Sequence, residues 1–310
     1  MRKKVLITGG FGFIGIEVCA QFSHWNAHVW DTKTGDNLFR NDTLDEDYDA
    51  IVHLVAQLEI LGANPKTELV MNVESTIHML ELARKYDIPK FVFTSTADVY
   101  GEPQIVASRE VDALNPFWTY AASKVAAEAY VRTYEELYGI KTVIIRPSIV
   151  TGIGEWYGRF VTLSMARIRK KQPILVFGNG KQSRDFVAVR DVARLIYMVT
   201  AKDIKTPEVF NASSGESRTI YDVAHMILDS CRELKIGYPY PCIKWMDPKV
   251  GELGRKPHEQ IRQHLDNCHA SFVLGWEPKE DFTKLLTQEL EWVMKMSNEE
   301  FAKWTKNPRY

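Results

Sequence analysis

The feature that most constrains the fold is a glycine-rich turn near the start of the chain. A short apolar run, Val5 to Thr8, leads directly into Gly9-Gly10-Phe11-Gly12-Phe13-Ile14-Gly15, which opens an amphipathic stretch. Glycines at positions 9, 12 and 15 let backbone amides and the first turn of a helix approach an anion without a Cβ in the way. Between a strand and a helix, this spacing predicts a binding site for the pyrophosphate of a dinucleotide.

Asp31 adds to this prediction, because it ends the second predicted strand about 16 residues beyond Gly15. A carboxylate there can bind the ribose hydroxyls of NAD and repel the 2′-phosphate of NADP. The alternative is a plain strand-to-helix turn followed by a solvated aspartate. The sequence favours NAD as the cofactor.

Short apolar runs alternate with longer amphipathic stretches through the first half of the chain. This pattern is typical of a doubly wound parallel sheet, the Rossmann α/β fold, with helices on both faces. We predict a NAD-binding domain over residues 1–155, to which residues 185–212 return, and a smaller, mostly C-terminal α/β substrate-binding domain over 156–184 and 213–310. The predicted strands are Val5 to Thr8, His28 to Trp30, Ala50 to Leu54, Lys90 to Thr94, Thr142 to Arg146 and Ile174 to Phe177; the predicted helices are Ile14 to Ser23, Glu68 to Tyr86, Thr119 to Tyr138, Phe160 to Lys171, one from Asp191, Thr219 to Leu234 and one ending near Lys295.

Composition argues against several classes of function. Lys plus Arg (39) and Asp plus Glu (40) nearly balance, so no large net field attracts nucleic acid or an anionic membrane. No apolar stretch approaches the roughly 20 residues of a membrane span, and glycines with Glu17 interrupt the N-terminal apolar run too early for a signal peptide. The four cysteines are scattered without metal-ligand spacing. We expect a cytoplasmic protein that binds no metal, nucleic acid or membrane.

Tyr120 and Lys124 lie four residues apart in a predicted helix and therefore share one of its faces. An ammonium beside a phenol is expected to lower the tyrosine pKa toward a range useful for proton transfer. The spacing alone is common and also fits two surface residues. Catalysis is favoured by Thr96, which follows the strand Lys90 to Thr94 at the edge where open α/β sheets bind ligands. Thr96 can hydrogen-bond the same substrate oxygen that Tyr120 protonates or deprotonates.

Together these motifs resemble those of the extended short-chain dehydrogenase/reductase family, specifically its NAD-dependent nucleotide-sugar epimerases and dehydratases. The resemblance covers nearly the whole chain. Besides the residues above, it rests on His53-Leu54-Val55-Ala56-Gln57, Met71-Asn72-Val73, Phe93 to Gly101, Arg146-Pro147, Gly178 to Phe186 and Leu274 to Pro278.

The resemblance implies a role for each matched residue. Tyr120 is the acid/base, Lys124 binds the nicotinamide ribose and tunes Tyr120, and Thr96 orients the reacting hydroxyl. His53 is expected to be a buried strand residue without a catalytic role. The residues implied to contact NAD are Gly9, Gly12, Phe13, Ile14, Gly15, Asp31, Leu54, Ala56, Asn72, Tyr120, Lys124 and Pro147.

Two cations are implied at the diphosphate of a nucleotide-sugar substrate. Arg184 is one, and Arg255 with Lys256 lies where the family places another, although a solvated basic run also fits. Ile149 stands where the family commonly has an asparagine that touches substrate. The resemblance also implies a homodimer through the helices that hold Tyr120 and residues 68–86, packed as a four-helix bundle.

The implied reaction is transient oxidation of a sugar hydroxyl, and the residues after Thr96 bear on the product. Family dehydratases of deoxythymidine-linked glucose carry an Asp-Glu pair there, whereas this chain has Ala97 and Asp98. Decarboxylases of nucleotide-linked uronic acids carry a small residue and then glutamate, which Asp98 resembles one methylene short. A carboxylate bonded to nearby backbone also fits Asp98. We expect C4 epimerisation of a UDP-sugar; the alternatives are a decarboxylase or dehydratase that uses Asp98, and an inactive NAD-binding sensor.

Overall fold

A six-stranded parallel sheet forms the centre of the computed structural model, which describes residues 2–34, 43–44, 47–58, 64–103, 107–237, 241–247 and 260–306. The strand order is β2-β1-β3-β4-β5-β9. From β1 the chain adds β2 on one side and then β3 on the other, so the order of strand addition reverses between β1 and β3, while all strands stay parallel. Ligands of doubly wound sheets bind outside the carboxyl ends of the strands at such a reversal. The strands are β1 Lys4–Thr8, β2 Asn26–Trp30, β3 Ala50–His53, β4 Lys90–Thr94, β5 Lys141–Pro147 and β9 Glu208–Ala212. The predicted fold class is confirmed.

Helices cover both faces of this sheet, which explains the nearly continuous apolar strands. Along β1, Val5 and Ile7 pack toward one face and Leu6 toward the other, as the two-residue period of a strand requires. The helices that cover the two faces are α1 Phe13–Gln21 and α6 Val189–Ala201 on the first, and α3 Ser75–Lys85 and α4 Thr119–Tyr138 on the second.

The helix predicted over Glu68 to Tyr86 is interrupted. A short helix, α2 Pro65–Glu68, passes into a π-helical segment, Leu69–Glu74, before α3 begins. A π-helical turn inserts an extra residue, and such turns are frequent at functional sites. Here the widened turn contains Asn72, one of the predicted site residues.

A second group of elements lies beyond β5. It contains a three-stranded sheet in the order β10-β8-β6 and a parallel pair, β11-β7. Helices α5, α7 and α9 pack together around Met165, Phe186, Ile227 and Leu290. The bounds are β6 Ile149–Thr151, β7 Ile174–Phe177, β8 Ser183–Ala188, β10 Ser217–Thr219, β11 Ile243–Met246, α5 Phe160–Arg169, α7 Ile220–Glu233, α8 Cys268–Leu274, α9 Phe282–Lys295 and α10 Asn298–Trp304.

The chain returns to the main sheet twice after β6. β9 forms its last strand and lies within residues 185–212, which were predicted to return to the NAD-binding domain. α8 and the fully buried Trp276 pack into the core on the α1 and α6 face, although they fall within the range predicted for the substrate-binding domain. The domain boundaries stay a prediction. Within the described part of the chain, every helix is too short or too polar to cross a membrane.

Candidate active site

The glycine turn joins β1 to α1 in a shape that admits no side chain at its closest point. Gly9 has φ +72° and its amide donates to the Trp30 carbonyl at 2.8 Å. A Cβ on Gly15 would lie 2.2 Å from the Gly9 carbonyl oxygen, and one on Gly12 3.1 Å from the same atom. Gly12 caps α1 without a side-chain hydrogen bond, which leaves the helix N-terminus open to an anion. The turn therefore fits a pyrophosphate.

Asp31 lies directly beside this turn. Its Oδ2 accepts from the Phe11 amide at 2.9 Å, and its Oδ1 accepts from the Lys33 amide at 3.0 Å. The carboxylate is buried beside the turn. This geometry suits the two hydroxyls of an adenosine ribose. A lysine also lies here: Lys33 Nζ donates to the Phe11 carbonyl at 2.6 Å, a contact that the sequence did not predict.

The segment after β3 forms the opposite wall. The Leu54 amide donates to the Thr8 carbonyl at 3.1 Å, and a Cβ on Gly9 would meet Val55 N at 3.1 Å, so the two loops lie against each other. Ala56 follows in this segment. His53 is fully buried, 2.7 Å from Thr8 Oγ1, and burial lowers its pKa to about 3. It is neutral and structural, as expected.

Asn72 ties this wall to α4. Its Oδ1 accepts from the Gln57 amide at 2.7 Å, while its Nδ2 donates to the Gln57 carbonyl at 3.0 Å and to Ser123 Oγ at 2.9 Å. The buried amide is thus occupied by protein groups on three sides. Asn72 is suited to holding the cofactor wall in place.

Tyr120 and Thr96 meet at the carboxyl edge of the sheet. A short 3-10 helix, Ala97–Tyr100, follows β4, and Thr96 caps it by accepting from the Asp98 amide at 3.2 Å. Tyr120 lies in the first turn of α4, close enough to Thr96 for that side chain to lower the tyrosine pKa slightly. The two hydroxyls that were paired from the sequence therefore lie near each other.

Lys124 lies one turn further along α4, but its ammonium bonds a backbone carbonyl and not the Tyr120 hydroxyl. Its Nζ donates to the Thr94 carbonyl at 2.9 Å and lies 4.6 Å from the centre of the Phe93 ring. Burial lowers the pKa of Lys124 to about 7, partly offset by Glu128. Burial also raises the pKa of Tyr120, and Asp98 raises it further.

The tyrosine pKa is therefore raised, whereas the spacing of Tyr120 and Lys124 predicted that it is lowered. Desolvation of the phenolate outweighs the nearby cations, and the Lys124 ammonium is directed to a backbone oxygen. Tyr120 is therefore a phenol at neutral pH.

Asp98 contacts a residue that is distant in sequence. Its Oδ1 accepts from Gln263 Nε2 at 3.1 Å. Gln263 is 4% exposed, and its buried Oε1 has no hydrogen-bond partner within the described ranges. Residues 260–263, the Gln263 segment, are fixed beside the site because Gln260 Nε2 donates to the Gly101 carbonyl at 2.6 Å. The Asp98 side chain is thus held from the C-terminal part of the chain, while its amide donates to Thr96.

A buried ion pair supports the site from behind. Arg146 donates to Glu128 through Nε at 3.0 Å and through Nη2 at 2.6 Å, and Ser95 Oγ donates to the same carboxylate at 2.6 Å. Arg146 Nη1 also donates to the Tyr100 hydroxyl at 2.8 Å. These groups join β4, β5 and α4 just beneath Thr96 and Lys124. Pro147 follows Arg146 at the buried end of β5.

Residues 152–159, which we call the substrate loop, bring two further side chains to Tyr120. Arg159 lowers and Tyr157 raises the tyrosine pKa, so both lie within its electrostatic reach. The Tyr157 hydroxyl donates to the Leu58 carbonyl across the site. Sequence analysis missed both residues, although the aromatic and basic run Trp156-Tyr157-Gly158-Arg159 was a visible signal.

The other residues that the resemblance places at the substrate are Arg184, Ile149 and Arg255. Arg184, in β8, donates through Nη1 to the Ser183 carbonyl at 2.8 Å and lies beside Ile261, next to the Gln263 segment. Ile149 begins β6 and pairs with Phe186. Arg255 lies outside the described residues. Across the described ranges, no three His, Cys, Asp or Glu side chains gather closely enough to hold a metal ion.

The comparisons with known proteins agree with this geometry. The chain matches the NAD dependent epimerase/dehydratase family over residues 5–213. It is 31% identical to a candidate UDP-glucose 4-epimerase of Methanocaldococcus jannaschii, over 93% of this chain and 98% of the relative. It is 26% identical to a dTDP-glucose 4,6-dehydratase of Escherichia coli, over 98% of this chain and 95% of the relative.

A solved structure is also similar. The UDP-glucose 4-epimerase of Thermotoga maritima, solved with UDP-glucose, superposes with a TM-score of 0.80 at 25% identity, covering 93% of this chain and 98% of that one. The chain belongs to the NAD dependent epimerase/dehydratase family, whose members are enzymes, and its cofactor is NAD.

Proposed function

We propose that this enzyme interconverts the C4 epimers of a UDP-linked sugar. The observation that carries the proposal is the placement of Thr96, which ends the β4 edge, near Tyr120 in the first turn of α4, with Lys124 one turn further along the helix. Two neighbouring hydroxyls can share one substrate oxygen, so that Thr96 orients it while Tyr120 takes its proton. The epimerases among the relatives support the choice of reaction.

The chain's own residues account for binding and proton transfer. Gly9, Gly12 and Gly15 would cradle the pyrophosphate of NAD, and Asp31 would bind its adenosine ribose. When bound, NAD supplies a reversible hydride acceptor, so that a sugar carbon can be oxidised and then reduced on its other face. Lys124, with a pKa of about 7, can carry a positive charge near the nicotinamide ribose. The roles of Phe13, Ile14, Leu54, Ala56 and Pro147 as cofactor contacts stay predictions.

A positive charge near Tyr120 is needed to lower its pKa, because burial favours the neutral phenol. Arg159 already opposes this effect, and any further positive charge brought next to Tyr120 would favour the phenolate. Arg159 and Arg184 are the cations that we assign to the substrate diphosphate. A bound diphosphate would draw both side chains inward through charge-assisted hydrogen bonds.

A second candidate reaction is elimination assisted by Asp98, which the dehydratases among the relatives make worth testing. Asp98 lies close enough to raise the pKa of Tyr120 and is therefore near the reacting atoms. The hydrogen bond from Gln263 holds its carboxylate as an acceptor, whereas an eliminating acid must donate a proton. We therefore favour epimerisation.

Product analysis distinguishes these reactions. The purified enzyme with NAD is incubated with UDP-glucose, UDP-N-acetylglucosamine and UDP-glucuronic acid in turn, and the products are identified by NMR. We expect two sugar isomers at equilibrium with no net NADH, and their loss in Tyr120→Phe. Tyr221→Phe, at an exposed tyrosine of α7 outside the proposed site, serves as the matched control. An unsaturated or 4-keto-6-deoxy product, or released carbon dioxide, would instead favour elimination or decarboxylation through Asp98.

The homodimer is proposed on the exposed apolar face of α4. Tyr130, Leu137 and Tyr138 are 43%, 65% and 49% exposed, and Leu69 of the neighbouring π-helical segment is 50% exposed. Burying such side chains against a second copy would remove apolar surface from water. Sedimentation should therefore give twice the chain mass, and Leu137→Glu should give the monomer. The cytoplasmic location stays a prediction.

A further inference from the structure

The last described helix, α10, is tied to the substrate loop. Trp304 Nε1 donates to the Glu155 carbonyl at 2.8 Å. Glu155 lies near the middle of this loop, two residues before Tyr157 and four before Arg159. A group at the C-terminal end of the chain thus bonds the backbone of the segment that approaches Tyr120.

The indole of Trp304 is itself held in place. It packs edge-on against Trp292 of α9, with ring centres 5.6 Å apart, and beside Phe301 at 5.9 Å. Rings packed on two sides have little freedom to turn. The direction of the Nε1–H bond is therefore set by the packing of α9 and α10.

The position of α10 is fixed by two further contacts. Ser297 and Glu300 form a reciprocal capping box at its N-terminus. Arg169 at the end of α5 donates through Nη2 to the Met296 carbonyl at 2.7 Å, and its guanidinium lies 4.4 Å from the centre of the Phe301 ring. The helix is docked onto α5, the helix that begins directly after Arg159.

The Glu155 side chain secures the same point of the loop. It is 3% exposed and accepts from the Tyr157 amide and from Thr162 Oγ1. On the other side of the loop, the Tyr157 hydroxyl donates to the Leu58 carbonyl, which follows the predicted cofactor wall. The loop therefore spans from the C-terminal helix to the NAD-binding body, above Tyr120.

We infer that Trp304 is a positioning residue that fixes the substrate loop, and with it Tyr157 and Arg159, over the reacting hydroxyl. The inference rests on the proposed function, because it takes Tyr120 as the acid/base. Trp304 touches no reacting atom. Its contribution is to hold Arg159 where an anionic substrate meets it, so its loss weakens substrate binding more than turnover.

The test uses Trp304→Phe, which keeps an aromatic ring in the cluster and removes the N–H donor. Amide hydrogen exchange is measured on the full chain without substrate. Loss of one hydrogen bond should speed exchange of the peptide over residues 152–162 by about 5-fold, with no change in the β1 peptide. With the sugar that the wild type converts, KM should rise about 5-fold and kcat should change less than twofold. Trp25→Phe, which keeps its packing against Phe22 on the NAD-binding body, is the matched control.

A chain ending at Met296 provides a second variant and should show the same changes at least as strongly. Exchange of the 152–162 peptide equal to that of Trp25→Phe overturns the inference, and so does faster exchange with an unchanged KM. The exchange measurement involves no substrate and no turnover. A wrong assignment of Tyr120 would therefore leave the loop result intact, and the two failures can be told apart.

Discussion

The buried pair of Glu128 and Arg146 allows a quantitative prediction about the support of the active site. Their side chains are 2% and 1% exposed, and two hydrogen bonds of 2.6 and 3.0 Å join them. Removing one partner from such a pair leaves a charge buried without its counterion, which typically costs about 3–5 kcal/mol. We expect Glu128→Leu and Arg146→Met each to lower the free energy of unfolding by about that amount.

The double variant should be more stable than the sum of the two single changes implies. With both charges gone, neither group is left uncompensated, so most of the penalty should disappear. Urea titration followed by circular dichroism measures all three variants and gives the coupling energy. Lys141→Met is the control, because Lys141 and Asp203 lie 2.7 Å apart but are 48% and 85% exposed. Its effect should be far smaller.

Glu128→Leu should also change the ionisation of Lys124. Glu128 raises the pKa of Lys124 against the effect of burial. Glu128→Leu should therefore move the ionisation of Lys124 below about pH 7, visible as a shift in the pH profile of activity. Single variants that cost less than about 1 kcal/mol, or a double variant equal to the sum of the singles, would refute the reasoning.

Two further variants test the cofactor site, and a third tests a buried carboxylate of α9. Gly15→Ala places a methyl group 2.2 Å from the Gly9 carbonyl oxygen and should abolish NAD binding in calorimetry. Gly139→Ala is the control: its methyl group meets no atom within 4 Å, and the backbone strain from its positive φ lies at the far end of α4, so NAD binding should stay unchanged. Asp31→Ser should weaken NAD binding and narrow its advantage over NADP, and an unchanged ratio of the two dissociation constants would contradict the assignment. Burial raises the pKa of Glu289 to about 8, although the hydrogen bond from Thr151 opposes this shift. The folded protein therefore holds a proton that the unfolded chain releases near pH 4.5, and stability should fall as the pH rises from about 4.5 to 8. Glu289→Gln should remove this part of the slope in urea titrations, and an identical slope would contradict it.

Much of the main sheet followed from local pattern. Strands β1 to β5 are apolar runs that lie between amphipathic helices, and the two periods distinguish them. β6 was missed because three residues are too few to show alternation, and the π-helical segment around Asn72 was missed because one inserted residue leaves the apolar pattern almost unchanged. Helix α10 buries no residue fully and so carries a weak periodic signal.

The site was predictable in its motifs and unpredictable in its long-range contacts. Thr96 and Tyr120 were paired from sequence, and the structure brings them together. Gln263 could not be found, because its partner Asp98 is 165 residues away and nothing local marks the pairing. The direction of the Tyr120 pKa shift depended on burial, which the spacing of Tyr120 and Lys124 does not reveal.

The central claim is that a sugar hydrogen at C4 leaves as hydride and returns to the same carbon. Incubating the enzyme and NAD with UDP-glucose deuterated at C4, followed by NMR of the sugars, tests this most directly. We expect a mixture of UDP-glucose and UDP-galactose in which both isomers keep deuterium at C4 and no NADH is released. Loss of the label to solvent, or a label found at any other carbon of the product, would contradict it.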